Sequence, residues 1–224
     1  MSAVGSVVNV TFHGIGPVQR DLDPGEGGTW VSVEQFEQLL DAAVGRPEVR
    51  ISFDDGNASD LEIALPRLLE RGLTAEFFLL AGRLGEPGRI DTAGVRELAG
   101  AGMAIGSHGW AHRDWRRIDD RAAEQEIHDA PRVLTALAGR PVSSVAVPFG
   151  SYDRHVLHRL RDAKVSRVYT SDGGRTRRGS WIQARNSAHH DLDAHWVHRV
   201  VDEAPSLKAR ARGLAARTVK RFRG

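Results

Sequence analysis

Residues 49–56 read VRISFDDG, an alternating apolar run that ends in two acidic residues and a glycine. Alternation of this kind, with a β-branched and an aromatic residue inside the run, predicts a short strand. The acidic pair and Gly56 then predict the turn that ends it. Two carboxylates placed directly after a buried strand therefore suggest either a simple turn or a site at the carboxyl end of that strand.

The chain on either side of this run alternates strand-like and helix-like segments. Residues 7–12 predict a strand, and residues 32–40 predict a helix that Ser32 and Gln35 open as a capping box. Further strands are predicted over residues 74–81, 103–105, 142–147, 166–170 and 181–184, and further helices over residues 60–71, 92–101, 119–138, 153–163 and 192–203. Such alternation is typical of βα units, so we predict an α/β fold, a distorted (β/α) barrel in one domain.

Four predicted strands end in residues that can carry chemistry. His13 follows the first strand, Asp54 and Asp55 follow the second, and His108 follows the strand at residues 103–105. Residues 148–150, Pro-Phe-Gly, follow the strand at residues 142–147. In barrels of βα units the carboxyl ends of the strands share one rim, where active sites are built. We therefore expect these residues to meet.

The amino-acid composition limits the kinds of functional site that the chain can form. The chain has no cysteine, which excludes disulfides, zinc-thiolate sites and a cysteine nucleophile. His108 and His112 are four positions apart, and with one carboxylate they form the ligand mix of hydrolytic zinc and non-haem iron sites. Taken alone, this pair is a weak signal, because a chain with 10 histidines contains such pairs by chance.

Three stretches together resemble a known family. Residues 52–56 (SFDDG), 108–112 (HGWAH) and 147–153 (VPFGSYD) are similar, in this order, to the successive motifs of the polysaccharide deacetylase family, also called the NodB homology or carbohydrate esterase 4 family. Residues 11–14 (TFHG) resemble the Tyr-His segment that opens one branch of the family. The resemblance spans roughly residues 7–201 and implies a barrel of the polysaccharide deacetylase type.

The resemblance also implies a metal-dependent reaction. It assigns Asp55, His108 and His112 to a divalent metal, with zinc favoured and cobalt, nickel or manganese compatible with the same ligands. It makes Asp54 the general base and a metal-bound water the nucleophile, because a bound metal polarises a carbonyl and lowers the pKa of its water to about 7. The implied activity is hydrolytic removal of an N-acetyl group from an N-acetylated sugar or glycan precursor.

Further roles follow from the same resemblance. The backbone N–H of Phe149 corresponds to the oxyanion donor. His13 matches the branch-specific histidine and is the expected general acid, although a packing histidine at a strand end remains an alternative. Ala146 stands where the family commonly has an arginine two residues before the proline. Arg185 falls where the branch often has one, and we expect it to orient Asp54.

The substrate side is less specified. Trp110, Pro148 and Tyr152 are predicted substrate contacts, since aromatic rings match the apolar faces of sugars, but core packing explains the aromatic residues equally well. Two other functions remain open on the same fold. One is hydrolysis of an O-acetyl ester or a non-sugar amide, and the other is a catalytically degenerate carbohydrate-binding protein.

Charge divides the chain into a body and a tail. The net charge of +2 hides seven basic and no acidic residues in 205–224, so the preceding residues carry −5. We predict a catalytic domain at 1–204 and a basic amphipathic tail at 205–224. The tail has three open interpretations: a helix on an anionic membrane surface, a cover over the bottom of the barrel, or a solvated end.

Location and partners follow from composition. Residues 1–12 lack a basic segment followed by a long apolar one, and no 18-residue apolar stretch is present. These features predict a cytoplasmic protein, with peripheral contact at the inner face of the membrane through the tail as an option. Because the body is acidic, no nucleic-acid partner is expected. Oligomeric state is not predicted.

Overall fold

Apolar strands and amphipathic helices alternate along the chain as the sequence predicts. The structure, a computed structural model, describes residues 5–23 and 25–203 together with Thr218 and Lys220. The strands in these residues are β1 (Ser6–Phe12), β2 (Gly14–Ile15), β3 (Trp30–Val31), β4 (Val49–Asp54), β5 (Ala75–Leu79), β6 (Ala104–Ser107), β7 (Ser144–Ala146), β8 (Arg167–Thr170), β9 (Arg175–Arg177) and β10 (Ile182–Ser187). The α-helices are α1 (Val33–Ala43), α2 (Leu65–Glu70), α3 (Thr92–Gly100), α4 (Asp120–Ala123), α5 (Ala130–Ala138), α6 (Arg154–Asp162) and α7 (Ala194–Val201).

Parallel strands close into a barrel. Along the sheet the order is β10, β8, β7, β6, β5, β4, β1, and parallel pairing of β10 with β1 closes the ring of seven strands. Strand β9 lies outside the ring and pairs antiparallel with β1, while β2 and β3 form a separate two-stranded pair. Helices surround the ring, and the described body is a single domain. The predicted distorted (β/α) barrel is confirmed.

The two faces of the strands carry different residues, because side chains alternate along a strand. Phe53 stacks on Phe77 with 4.6 Å between ring centroids and on Phe12 with 5.7 Å, and Phe36 of α1 packs edge-on against Phe12. On the opposite face, in the barrel interior, buried polar residues lie beside the aromatic rings of Phe78 and Tyr169. The polar residues include Asn9, Thr11, Ser52, Gln183 and Arg185. The apolar face anchors each strand to its helices, so the inner face is held in a fixed register.

Several helices begin as the sequence predicts. Ser32 and Gln35 form the predicted capping box at the start of α1. The helices predicted over residues 60–71 and 119–138 are present but irregular, since π-helical turns at Asp60–Ala64 and Glu124–Asp129 precede α2 and α5. The short strands β2, β3 and β9 were not predicted, because two or three residues carry no period.

The predicted tail, residues 205–224, lies outside the described residues except for Thr218 and Lys220. The Lys220 ammonium contacts the Asp172 carboxylate at 2.7 Å, in the loop after β8 and thus at the carboxyl end of the barrel. The three interpretations of the tail stay predictions. None of the helices in the described residues combines the length and the apolar character needed to cross a bilayer.

Candidate metal and catalytic site

The polar residues predicted at the strand ends meet at the carboxyl end of the barrel. Asp54 is the last residue of β4, and His108 directly follows β6. His13 follows β1 in the same way, and Arg185 comes from β10, which pairs with β1. Because the parallel strands all point towards this rim, residues far apart in sequence are brought into one cluster.

Three of these residues form a compact group of potential metal ligands. One ligand atom each from Asp55, His108 and His112 lies within 4.8 Å of the others. Asp55 Oδ1 is 3.6 Å from His108 Nε2 and 3.8 Å from His112 Nε2. All three are largely buried, with His112 the most open at 19% side-chain exposure. The spacing leaves room for one ion between them.

Hydrogen bonding prepares the imidazoles for this role. His108 Nδ1 lies 2.8 Å from the Ala146 carbonyl oxygen, which can only accept, so Nδ1 carries a proton and Nε2 is the ring nitrogen that faces Asp55. Burial lowers the pKa of His112 to about 4, with His108 adding to the shift, so its imidazole is neutral at neutral pH. Neutral imidazoles are the form that binds a metal.

Asp55 has a carboxylate oxygen that suits a cation. Its Oδ1 is buried and has no hydrogen-bond partner among the described residues. Burial alone raises the pKa of Asp55, but His108, His112 and His13 outweigh it, and the net pKa lies below its usual range. A buried, ionised oxygen without a hydrogen bond is costly unless a cation pairs with it. The residues present therefore fit a divalent metal.

Strained backbone is concentrated at this site. Four described residues other than glycine have positive φ, and three of them are Asp55 (75°), His112 (57°) and Phe149 (58°). The left-handed region of backbone conformation costs free energy for residues other than glycine. Residues held in it are found frequently at functional sites. The two residues with positive φ that are potential ligands, Asp55 and His112, both converge on His108.

Asp54 is held by a bidentate ion pair. Arg185 Nη1 and Nη2 donate to its two carboxylate oxygens at 2.6 Å each. Both side chains are 3% exposed. Burial raises the pKa of Asp54, but the Arg185 charge, His108 and His13 outweigh it and hold the pKa far below its usual value. Asp54 is therefore a fixed, ionised carboxylate 3.8 Å from His108 Nε2.

His13 lies beside Asp54. Its Nε2 is 4.0 Å from Asp54 Oδ2, while its Nδ1 is buried without a hydrogen-bond partner among the described residues. Burial lowers the pKa of His13, and the nearby Asp54 and Asp55 only partly offset this effect. The placement brings His13 into the group, and its role as general acid stays a prediction.

A cavity of about 320 Å³ opens over the group. Phe149 lies on its wall with 62% exposure, and its ring packs against His112 with 4.3 Å between centroids. Asp23, Glu26 and Thr29 also line the cavity. The cavity contains His13, Asp54, Asp55, His108, His112, Phe149 and Arg185 in its lining. Every predicted catalytic and metal residue therefore faces one space.

Among the described residues that line this cavity, the three predicted substrate contacts are absent. Trp110 packs against the apolar core and covers Gly82, where an added Cβ would come within 2.2 Å of the indole nitrogen. Tyr152 is 2% exposed and donates its hydroxyl proton to Asp172 at 2.7 Å. Pro148 is buried too. Stacking of Trp110 or Tyr152 on a sugar therefore stays a prediction.

Some residues of the site were not predicted. Arg89 lines the cavity, and its Nη1 donates to the Asp55 carbonyl at 2.7 Å. Asp60 is fully buried with no hydrogen bond to either carboxylate oxygen in the described residues, and burial together with Asp55 and Asp54 raises its pKa well above normal. In the sequence both look like ordinary charged residues, and only the closed barrel shows their burial.

The fold and the site define a class of protein, a parallel barrel with a histidine and carboxylate cluster at the carboxyl ends of its strands. A sequence model of the polysaccharide deacetylase family matches residues 41–168, more than half of the chain. The chain therefore belongs to the polysaccharide deacetylase family. The match includes Asp54, Asp55, His108, His112 and Phe149, whereas His13 and Arg185 lie outside it.

Curated relatives agree with this assignment. The chain is 28% identical over 139 residues to a peptidoglycan-N-acetylglucosamine deacetylase of Bacillus cereus, covering 59% of this chain and 48% of the relative. It is 25% identical over 188 residues to a chitin deacetylase of Pestalotiopsis sp., covering 75% and 61%. The chain spans about half the length of the first of these relatives.

Solved structures share the fold. A polysaccharide deacetylase from Bacillus cereus superposes with a TM-score of 0.77 at 19% identity, covering 88% of this chain and 69% of the other. A Streptococcus pyogenes deacetylase in complex with acetate gives a TM-score of 0.75 at 17% identity, covering 88% and 99%. At these identities the likeness concerns the fold alone.

Proposed function

We propose that the protein is a metal-dependent hydrolase that removes an N-acetyl group from an N-acetylated sugar or glycan precursor. One observation carries the proposal. A buried carboxylate fixed by Arg185 lies beside the group of Asp55, His108 and His112, and both face the same cavity. This arrangement pairs a positioned base with a cation site, the requirement for activating water against an amide.

Asp55, His108 and His112 would hold the metal. Two imidazoles and one carboxylate suit zinc, and also cobalt, nickel or manganese, so zinc is proposed on ligand type alone. When bound, the metal would polarise the acetyl carbonyl and lower the pKa of water to about 7. This assignment is supported by Asp55 Oδ1, which accepts no hydrogen bond from the described residues, and by His108 Nε2, which faces it.

The chain's own groups would move the protons. Asp54, aligned by Arg185, accepts a proton from water as the water oxygen attacks the acetyl carbon. The Phe149 N–H stabilises the negative charge that develops on the acetyl oxygen. The carbon–nitrogen bond then breaks, and the leaving amine takes a proton from His13. His13 Nε2 lies 4.0 Å from Asp54 Oδ2, too far for direct transfer, so the proton that Asp54 takes from water would reach His13 through a bridging water before His13 gives it to the amine.

The substrate class is proposed from the family and from its relatives. The named relatives act on peptidoglycan and chitin, both built from N-acetylated sugars. For this chain we propose an N-acetylated sugar or glycan precursor as the partner.

The experiment measures acetate release together with metal content. The wild-type protein, stripped with a chelator and titrated with zinc or cobalt, should release acetate from N-acetylglucosamine oligomers. His108→Ala should bind no metal and lose activity by at least about 100-fold, since the metal supplies several kcal/mol to such reactions. His158→Ala is the control, because His158 is 75% exposed and pairs with Asp162 on α6.

Three results would contradict the proposal. Full activity of metal-free His108→Ala would exclude the metal. Acetate release from O-acetyl xylan in place of N-acetyl substrates would change the bond cleaved. Glycan binding without turnover at saturating zinc or cobalt would make the protein a carbohydrate-binding relative.

A further inference from the structure

Glu126 is a buried carboxylate in the helical segment after the two histidines. The sequence around it, residues 124–129, reads EQEIHD and resembles the solvated face of a helix. Its neighbours Glu124 and His128 have exposed side chains, yet the Glu126 side chain is 1% exposed. A buried carboxylate needs partners, and its partners indicate its role.

The carboxylate of Glu126 binds the loop that joins the histidines. Glu126 Oε2 accepts from the Trp110 N–H at 2.8 Å, and Oε1 accepts from the Ala111 N–H at 3.0 Å. Trp115 Nε1 donates a longer third bond to Oε2 at 3.3 Å. Both main-chain donors lie between His108 and His112, so this one side chain spans the stretch from one histidine to the other.

At Gly109, the first residue after His108, the loop passes close to the Glu126 carboxylate. Gly109 has a φ of 89°, and a Cβ added there would come within 2.2 Å of Glu126 Oε2. The nearest side-chain cation, Arg113, is 54% exposed and lies 3.9 Å away. The main-chain N–H groups are therefore the principal partners of the Glu126 charge, and charged acceptors bind such donors more strongly than neutral ones.

A π-helical turn brings Glu126 to this position. The turn covers Glu124–Asp129, and both Glu126 and Ile127 are buried in it. A π-turn changes the direction in which side chains leave the helix, and such turns occur frequently at functional sites. Here the turn directs a charged residue inward, towards the loop between the histidines.

The two histidines depend on this loop to different degrees. His108 is fixed by its own contacts, since its N–H donates to the Leu79 carbonyl at 2.8 Å and its Nδ1 donates to Ala146. His112 comes four residues later with a φ of 57°, and its position follows from the path of residues 109–111. A displaced loop would thus move His112 away from Asp55.

We propose that Glu126 is a positioning residue that holds the loop between His108 and His112 in the shape in which both imidazoles reach Asp55. It acts through the N–H groups of Trp110 and Ala111 and does not itself contact metal or substrate. The inference rests on the proposed function for its metal, and it adds a residue that controls the affinity for that metal.

The test measures metal affinity in the absence of substrate. In Glu126→Gln the side chain keeps nearly the same shape, but its amide group turns a donor towards one of the two main-chain donors. We expect zinc and cobalt to bind the metal-stripped variant about 10- to 100-fold more weakly in chelator competition, the usual effect of losing such a partner. Saturating metal should restore most of kcat.

Two variants serve as controls. Glu124→Gln changes an exposed carboxylate of the same π-turn, at 61% exposure, and should leave the metal dissociation constant unchanged. Trp115→Phe removes the longest of the three bonds together with part of a buried ring, and it should still change the metal dissociation constant less than Glu126→Gln does. Circular dichroism of each metal-free variant reports whether it is folded.

The outcomes separate this inference from the proposed function. Folded Glu126→Gln with wild-type metal affinity overturns the inference, whatever its activity. Weakened metal binding in this variant, with no acetate release by the wild type, supports the inference and contradicts the proposed deacetylation. If the wild type binds no metal, both fail.

A further measurement uses the wild type and so does not depend on whether Glu126→Gln folds. The amide protons of Trp110 and Ala111 should exchange slowly with solvent in the metal-free protein, because both are bonded to the carboxylate. Exchange of both protons as fast as in exposed loops would overturn the inference.

Discussion

Arg185 and Asp54 are 131 residues apart in the sequence and form the most constrained contact of the site. Arg185 also stacks near Phe78, with 5.2 Å from its guanidinium carbon to the ring centroid, and donates to Thr11 at 3.1 Å. These contacts fix the guanidinium plane, and the plane fixes both oxygens of Asp54. Arg185 on β10 thus contacts Asp54 in a chain that has Ala146 before the proline, and its catalytic role stays a prediction.

Replacement of Arg185 by lysine tests whether Asp54 needs only a positive charge beside it or also the bidentate contact. A lysine keeps the positive charge but cannot hold both oxygens of Asp54, because an ammonium is a point donor. We expect kcat for acetate release to fall on the order of 100-fold, since small misplacement of a catalytic group has that effect, with KM changed much less. Steady-state kinetics at saturating zinc measures both constants.

The matched control is Arg178→Lys. Arg178 is exposed and donates to the Pro47 carbonyl at 2.9 Å, away from the site. This variant should keep the wild-type kcat. A folded Arg185→Lys protein with unchanged kcat would show that Asp54 needs no bidentate partner.

The sequence predicts site residues best where several of them lie near one another in the chain. Asp54 and Asp55 follow a strand, and His108 and His112 are four positions apart, so local pattern and resemblance together bring them to attention. Glu126 and Arg89 have no such pattern. Each is one charged residue among many, and what distinguishes them is burial, which depends on residues distant in sequence.

Among the elements, α1 shows how local sequence connects to tertiary structure. The N–H of Gln35 donates to the Ser32 hydroxyl at 3.2 Å, and Gln35 Oε1 accepts from the Ser32 N–H at 2.8 Å. Gln35 Nε2 also donates to the carbonyls of His190 and Leu192, both at 2.8 Å. The same residue therefore starts α1 and ties it to the loop before α7.

The two functions of Gln35 predict an order of stability losses. Ser32→Ala removes half of the capping box and should lower the free energy of unfolding by about 1 kcal/mol. Gln35→Ala also removes two bonds to the α7 loop and should cost about 2 kcal/mol in all, since each bond contributes about 1 kcal/mol or less. Urea unfolding at constant metal concentration measures both changes.

Gln38→Ala is the control on the same helix and should change stability by less than about 0.5 kcal/mol. Equal losses for Ser32→Ala and Gln35→Ala would show that the bonds to His190 and Leu192 add nothing.

Periodicity predicts that helices exist but not how regular they are. The segments at 60–71 and 119–138 have helical spacing, and the structure inserts a π-turn into each. A π-turn adds one residue to a helical turn. Contacts with distant partners, such as the loop that Glu126 binds, compensate for the free-energy cost of this distortion. The sequence of the helix alone does not contain those partners.

For the molecule as a whole, positive charge is concentrated in the basic segment at 205–224. Its seven basic residues can attract an anionic bilayer at about 1 kcal/mol for each residue near the surface. One of them, Lys220, is engaged with Asp172 and with the Gly150 carbonyl at 3.3 Å, beside the Phe149 turn. The Lys220 charge is therefore partly compensated by the Asp172 carboxylate within the protein.

Deletion of residues 206–224 tests the membrane interpretation. The full chain should sediment with vesicles that contain phosphatidylserine, while the shortened chain should bind them more weakly, and high salt should abolish the difference. Hydrolysis of soluble substrates should remain. Neutral phosphatidylcholine vesicles are the control, and equal binding of both chains to anionic vesicles would exclude a membrane role for the tail. The cytoplasmic location stays a prediction.

The closure of the barrel by β10 against β1 has a consequence for the order in which the protein matures. Asn9 on β1 meets Arg185 on β10, so strands from opposite ends of the barrel sequence are neighbours. During synthesis β1 and β4 leave the ribosome long before β10, and until then the ring is open and Asp54 lacks its counter-charge. Such non-local pairing slows folding. A nascent chain that stops before Arg185 therefore has an open sheet, and its Asp54 carboxylate gains its counter-charge only when β10 joins the ring.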